Sequence, residues 1–241
     1  MILLFTDYGH GGPYLGEVEA AIARLAPAER VIRLMADAPR NDPRRSACLL
    51  AALSAGLPPG AIFFCVVDPG VGTEADPPVV LDLGGRRFVG PDNGLFDLAA
   101  RRSEVRSACR IDWRPASLSA SFHGRDLYAP VCAMLALDRP FACTPFPWQD
   151  RHGWPDDLWE VIYVDGFGNA MTGVRASRLG PGTRLSAGGR TLDSARTFAE
   201  VPAGRPFWYV NSSGLVELAV NGGSAASVLG LAVGDPVQPL A

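Results

Sequence analysis

The run Ile62-Phe63-Phe64-Cys65-Val66-Val67 is apolar without a break and stops abruptly at Asp68-Pro69-Gly70. Such a run suits a strand covered on both faces, the condition of a parallel sheet layered between helices. Its sudden end puts a carboxylate at the C-terminal lip of the strand, beside glycines that let a ligand approach the backbone. In open α/β sheets, ligands bind in the crevice beyond the carboxyl ends of the strands. The feature that fixes the fold therefore also places Asp68 for chemistry.

The flanking segments keep the same rhythm. Ile2 to Thr6 reads as a strand, Tyr14 to Leu25 as a helix, Val31 to Leu34 as a strand and Arg44 to Leu53 as a helix ending before Gly56 and Pro58. Val79 to Leu83 and Arg87 to Val89 form a hairpin around Gly84-Gly85, and Tyr128 to Leu137 reads as a further helix. This alternation predicts an N-terminal α/β domain with a mostly parallel sheet over residues 1–146. Prolines, tryptophans and polar residues then crowd together, and residues 147–157 are expected to be a linker. Beyond them Leu158 to Val164, Thr183 to Leu185, Phe207 to Val210 and Leu215 to Val220 read as short strands separated by glycine-bearing turns. They predict a smaller C-terminal all-β barrel domain over residues 158–241.

Composition excludes several classes of protein. No apolar run reaches the ~18 residues of a membrane span, so no membrane partner is expected. A formal charge of −3 argues against nucleic acid, whose binding shows as a basic excess. The start of the chain reads directly as strand and lacks a basic leader, which argues against secretion. The five cysteines are odd in number, scattered and never spaced C-x-x-C, which fits reduced thiols in the cytoplasm rather than disulfides or zinc. No metal-ligand spacing occurs, and no G-x-G-x-x-G follows the first strand. Neither a metal nor a bound cofactor is therefore expected.

Asp7 closes the first strand in Thr6-Asp7-Tyr8-Gly9 and shares the crevice of Asp68; its other reading is a cap on the following loop or helix. His123 stands between Phe122 and Gly124, ahead of Arg125-Asp126. An acid at a strand end plus an imidazole in a second loop is raw material for proton handling. His10 and His152 read as bystanders, and Gly90-Pro91-Asp92-Asn93-Gly94-Leu95 reads first as a turn. Asp165-Gly166-Phe167-Gly168-Asn169 offers a carboxylate, an aromatic face and an amide able to read a purine, or is an ordinary turn. The loops Asn211 to Gly214 and Asn221 to Ala226 are rich in hydroxyls and amides that suit a carboxylate or an adenine edge, and turn formation alone also accounts for them.

Taken in order, these stretches resemble the S-adenosyl-L-methionine (SAM) hydrolase family, the SAM hydroxide adenosyltransferases, which are relatives of the SAM-dependent fluorinase and chlorinase. The resemblance rests on Thr6 to Gly9, Val66 to Thr73, Gly90 to Leu95, Ser121 to Asp126, Asp165 to Asn169 and Asn211 to Glu217, and so spans nearly the whole chain. It implies hydrolysis of SAM to adenosine and L-methionine by in-line attack of water or hydroxide on C5′, with Asp68 and His123 handling the water. It also implies that Asp7 holds the ribose hydroxyls, that Asp165 takes the methionine ammonium and that the Ser212-Ser213 loop takes the carboxylate. Phe167 and Asn169 would flank and read the adenine, and Phe122, Glu217 and Ala225 complete the substrate-binding set. A homotrimer with the site at the subunit interface is implied as well.

One position departs from the family pattern. Where an arginine follows Asp-Pro-Gly-Val-Gly-Thr by two residues, this chain has Glu74 and then Ala75. Arg125, Arg86 and Arg87 are the cations left to compensate. The alternative readings are a SAM-dependent halogenase, which would replace Asp68 and lack His123, and a SAM- or adenosine-binding protein without turnover.

Overall fold

Residues 1–240 are described by the computed structural model. The first strand, Ile2–Thr6 (β1), is buried along its whole length. Helix Tyr14–Leu25 (α1) follows and buries Leu15, Val18, Ala21 and Ile22, the one-sided spacing of a helix lying on a sheet. Strand Val31–Met35 (β2) leads into helix Pro43–Ala55 (α2). Pro43 opens that helix, and the Asp42 side chain caps it by accepting the Arg45 N–H at 2.9 Å. The apolar run becomes Ile62–Val66 (β3), every residue of it buried. A hairpin of Pro78–Leu83 (β4) and Arg86–Pro91 (β5) comes next, then the short helix Asp97–Arg101 (α3) and strand Val105–Ile111 (β6).

The helix expected from Tyr128 begins earlier. Gly124–Tyr128 forms a single π-helical turn that runs directly into helix Ala129–Ala136 (α4). Such π turns occur frequently at functional sites. Here the turn brings the bare Cα of Gly124 against the Tyr8 hydroxyl, where any Cβ would collide. A three-residue strand, Cys143–Pro145 (β7), ends this part of the chain.

The seven strands form one sheet in the order β2-β1-β3-β5-β4-β6-β7. The pairs β1–β2, β1–β3 and β3–β5 are parallel, whereas β4 runs antiparallel between β5 and β6, and β7 antiparallel to β6. Strands β1, β3 and β5 therefore all end at the same edge of the sheet. Three loops leave that edge, carrying Asp7, Asp68 and Asp92.

The chain divides into two compact units between Trp154 and Pro155. The stretch read as a linker is bonded to the first unit over its earlier part. Arg101 donates to the Asp150 carboxylate and the Trp154 carbonyl, and His152 Nδ1 lies 3.1 Å from the buried Asp97 carboxylate.

The second unit holds Leu158–Val164 (β8), Ala170–Arg175 (β9), Arg184–Ala187 (β10), Arg190–Leu192 (β11), Pro206–Val210 (β12), Leu215–Val220 (β13), the helix Ala225–Leu229 (α5) and Gln238–Leu240 (β14). The strands make two antiparallel sheets, β11-β10-β14 and β12-β13-β9-β8. Isolated bridges join the sheets at both ends, Ser194 with Trp208 and Glu160 with Pro236. The strands thus follow one another in a closed order around a core that includes Val161, Leu185, Leu218 and Val237. Closure through bridges removes exposed sheet edges, and the short helix α5 and two 3-10 turns, Ala176–Arg178 and Phe198–Glu200, interrupt the β unit. Among the described residues no helix is long and apolar enough to cross a membrane.

Candidate active site

In the first unit, a cleft of about 720 Å³ opens at the sheet edge where β1 and β3 end. Asp7, Tyr8, Asp68, Phe122, His123 and Arg125 all line it. Asp7, Asp68, Phe122 and His123, read as candidates from the sequence, thus meet in one place from three separate loops.

Asp68 sits half-buried immediately beyond the apolar run and accepts the Gly70 N–H at 3.0 Å through Oδ1. Burial pushes its proton affinity above the ordinary carboxylate value; the Gly70 N–H and His123 act against this, and Asp76 and Asp7 add to it. Asp7 behaves alike. Its pKa is raised chiefly by burial and opposed by backbone N–H groups, including that of Asn41, and by the Arg40 charge. The Asn41 N–H reaches Asp7 Oδ2 at 2.8 Å.

The loop after β3 is fixed by close approach. Gly72 has φ of +83°, and a Cβ there would run into the Ala120 carbonyl. The Asp68 loop and the loop leading to His123 are therefore pressed together. Asn93 supplies a second tie. Its side-chain amide donates to the Val67 carbonyl at 2.8 Å, one residue before Asp68. The stretch read as a plain turn, Gly90 to Leu95, thus holds the strand end that carries Asp68.

Tyr8, Tyr14 and Phe122 form an edge-to-face cluster, with ring centroids 5.4 to 6.1 Å apart. Contacts of this kind add about 0.5–1.5 kcal/mol each beyond their burial and give the cleft an aromatic wall. Arg125 lies 5.2 Å from the Phe122 ring centroid.

The cations expected to compensate for Ala75 are engaged elsewhere. Arg86 and Arg87 open β5, at the end of the strand away from Asp68. Arg86 donates to the Ser54 and Ala55 carbonyls, and Arg87 to the Leu135 carbonyl. Arg125 does line the cleft, but it donates to both Asp126 oxygens, at 2.6 and 3.0 Å, and to Glu17 at 2.7 Å.

In the second unit a separate cleft of about 620 Å³ is lined by Asp165, Phe167, Asn169, Phe198, Tyr209 and the Gly222-Gly223 turn, among others. Asp165 accepts the N–H groups of Phe167 and Asn169 at 2.9 and 2.8 Å, and the Asn169 amide at 3.1 Å. The loop so tied off leaves the Phe167 ring 83% exposed while Asn169 is buried. Gly168, at φ of +82°, packs directly on Ser224, which caps α5 by accepting the Ser227 N–H at 3.1 Å. Ala225 is fully buried at the start of that helix.

Glu217 is buried on β13, where its carboxylate accepts the Tyr209 hydroxyl at 2.6 Å and the Asn211 amide at 2.8 Å. Asn211 Oδ1 in turn accepts the N–H groups of Ser213 and Leu215. In this structure Glu217 acts through Asn211 to shape the Ser212-Ser213 loop. Ser212 is exposed and Ser213 half-buried.

Four contributors escaped the sequence reading. Asn41, Asn93 and Tyr8 act through a backbone N–H, a buried amide and a hydroxyl packed on Gly124, and Asp76 reaches back toward Asp68 from eight residues on. Among the described residues, no group of three or more His, Cys, Asp or Glu is arranged to hold a metal ion.

Comparison with known proteins agrees with this layout. Residues 2–144 match the SAM hydroxide adenosyltransferase N-terminal domain and residues 159–238 the corresponding C-terminal domain. The chain is 39% identical to a Thermus thermophilus protein named (R)-S-adenosyl-L-methionine hydrolase, over 99% of each sequence. It is also 39% identical to a protein of the same name from Salinispora arenicola, over 97% of this chain and 95% of that one. Among solved structures, it superposes on an uncharacterized conserved protein from Thermotoga maritima with a TM-score of 0.85 at 28% identity, covering both chains fully. A conserved hypothetical protein from Thermus thermophilus gives a TM-score of 0.76 at 38% identity over 99% of each chain. With both domain models matched in order and relatives of this similarity over its full length, the chain belongs to the SAM hydroxide adenosyltransferase family.

Proposed function

We propose that this protein hydrolyses (R)-S-adenosyl-L-methionine to adenosine and L-methionine. The observation that carries the reading is the meeting of Asp7, Asp68 and His123 in one cleft of a chain 39% identical over its length to relatives named for that reaction.

The substrate's own charge sets the mechanism. Its sulfonium leaves as a neutral thioether, so no general acid is needed at the leaving group. The protein must instead hold a water in line with the C5′–S bond and strip its competing hydration. Asp68 and His123 are the groups that position that water and take its proton. Asp7, held by Asn41, receives the ribose hydroxyls, and the aromatic wall of Tyr8, Tyr14 and Phe122 faces the cation. A cation near such rings gains about 0.5–2 kcal/mol.

Asp165 and the Ser212-Ser213 loop receive the amino-acid end of the substrate, while Phe167 stacks on the adenine and Asn169 and the turn before Ala225 read its edge. We place these two halves of the site on different subunits of a homotrimer. The support is that each unit carries its own open cleft and that Phe167 presents a bare ring to solvent. The free state of all five cysteines supports a cytoplasmic location. Neither a cofactor nor a metal has a step to perform in this scheme.

A chromatographic assay tests the proposal. Purified protein with SAM in halide-free buffer is expected to release adenosine and methionine in equal amounts. A 5′-halo-adenosine formed on adding chloride or fluoride would place the chain with the halogenases, and SAM binding without product would make it a binding protein.

A further inference from the structure

The Asp68 carboxylate has a second carboxylate for a neighbour. Asp76 Oδ2 lies 3.1 Å, and Asp68 Oδ1 3.6 Å, from the point where a Cβ on Gly70 would stand. Both oxygens therefore flank the same bare stretch of backbone, and Thr73 Oγ1 stands 3.4 Å from that point. The turn between them is short and closed, since the Thr73 hydroxyl donates to the Gly70 carbonyl at 2.7 Å. Gly72 against Ala120 fixes it from outside. Ala75, the residue just before Asp76, is exposed and brings no charge.

The surroundings of Asp68 are defined on every side. The Gly70 N–H and Asp76 come from its own loop, His123 from the loop before the π turn, Asp7 and Tyr8 from the end of β1, and Tyr128 from the end of the π turn. Asp76 in turn faces Asp92, which Arg151 pairs at 3.3 Å. His123 is thus the one cationic-capable side chain among the groups acting on Asp68, set against two carboxylates.

We propose that Asp76 is a positioning residue that makes Asp68 the general base of the water site, taking the place of a guanidinium by the opposite electrostatic route. The proposal rests on the SAM-hydrolase reading. A cation beside the water would favour its ionised form, whereas a second carboxylate strengthens the hold of Asp68 on a proton drawn from neutral water. In the step itself, one water O–H bond breaks and its proton passes to Asp68. The oxygen lone pair forms the bond to C5′, and the C5′–S bonding pair departs on sulfur, giving the neutral thioether. The second water hydrogen stays as the 5′-hydroxyl hydrogen of adenosine, and the proton on Asp68 leaves to solvent. The acid limb of the pH–rate profile then reports the proton on Asp68, which the Asp76 charge helps to hold.

The test is the pH dependence of kcat and kcat/KM for wild type, Asp76→Asn and Asp76→Glu. Asp76→Asn is expected to move the acid limb down by roughly one pH unit and to lower kcat by roughly three- to tenfold, with KM for SAM nearly unchanged. Asp76→Glu, which restores the charge, is expected to restore the limb. An Asp76→Asn enzyme with the wild-type limb and kcat overturns the proposal, as does an Asp76→Glu enzyme displaced as far as Asp76→Asn. Both of those results leave SAM hydrolysis standing; a wild-type protein that releases no adenosine or methionine overturns the hydrolase reading and this proposal together.

Discussion

Asn41 donates its backbone N–H to Asp7 Oδ2 at 2.8 Å across 34 residues of sequence, and it does so from a left-handed backbone conformation with φ of 55°. The bond ties the exit of β1 to the start of α2, so the carboxylate expected to hold the ribose is oriented by the chain that caps the next helix. Left-handed backbone costs an L-residue about 1–2 kcal/mol, least for Asn and nothing for Gly. Asn41→Ala is therefore expected to lower stability by about 1 kcal/mol and raise KM for SAM. Asn41→Gly, which keeps the N–H and fits the angle, should lose less on both counts. Thermal melts and steady-state kinetics on the two variants check this, and equal losses would contradict it.

Variants of Asp68 and His123, the proposed proton-handling pair, should separate chemistry from binding. General acid–base groups contribute roughly 10²–10⁴-fold to rate. Asp68→Asn and His123→Ala are each expected to lower kcat within that range, while SAM affinity measured by calorimetry changes far less. Turnover at the wild-type rate in both variants would remove these residues from the water site.

Gly72 is a packing requirement of the site. Adding a Cβ forces the Asp68 loop away from Ala120 and places an L-residue at φ of +83°. Gly72→Ala is expected to cost about 1–3 kcal/mol of stability and to reduce kcat more than Gly214→Ala. Gly214 shares the positive φ, at 79°, but a Cβ there meets open space. Parallel behaviour of the two variants would show that strain alone, without loop displacement, accounts for the loss.

Asp97 gives the first unit a pH dependence of definite sign. Burial, with added pressure from Asp150, pushes its pKa up to about 6, against partial relief from His152. The folded state thus holds this proton more tightly than the unfolded chain, whose carboxylate titrates near 4. The contribution of Asp97 to stability improves as pH falls from 7 through 6 and levels off below the unfolded value. The melting temperature of wild type relative to Asp97→Asn is expected to rise by roughly 2–4 °C between pH 7 and pH 5. A flat or falling difference would contradict the assignment.

Much of the frame was legible because its signals are local. The Ile62–Val67 run, the Tyr14–Leu25 helix and the Gly84-Gly85 hairpin each follow from the chemistry of residues close in sequence. Strand Val105–Ile111 was not legible, since an exposed Arg-Ser-bearing strand shows little alternation and owes its place to pairing with β4. In the cleft lining, Asp7, Asp68 and His123 could be read from strand ends and a glycine-flanked histidine. Asn41, Asn93 and Asp76 could not, because each acts across a fold contact that no sequence spacing encodes. The positions of Arg86, Arg87 and Arg125 were equally hidden: one end of β5 was indistinguishable from the other until the sheet order was known.

The central claim is that water, activated in the cleft of Asp68 and His123, attacks C5′ of SAM. The most direct measurement is turnover in H₂¹⁸O with mass analysis of both products. The expected result is one ¹⁸O atom in the 5′-hydroxyl of adenosine and none in methionine. Adenosine without the label, or a product other than adenosine, would contradict it.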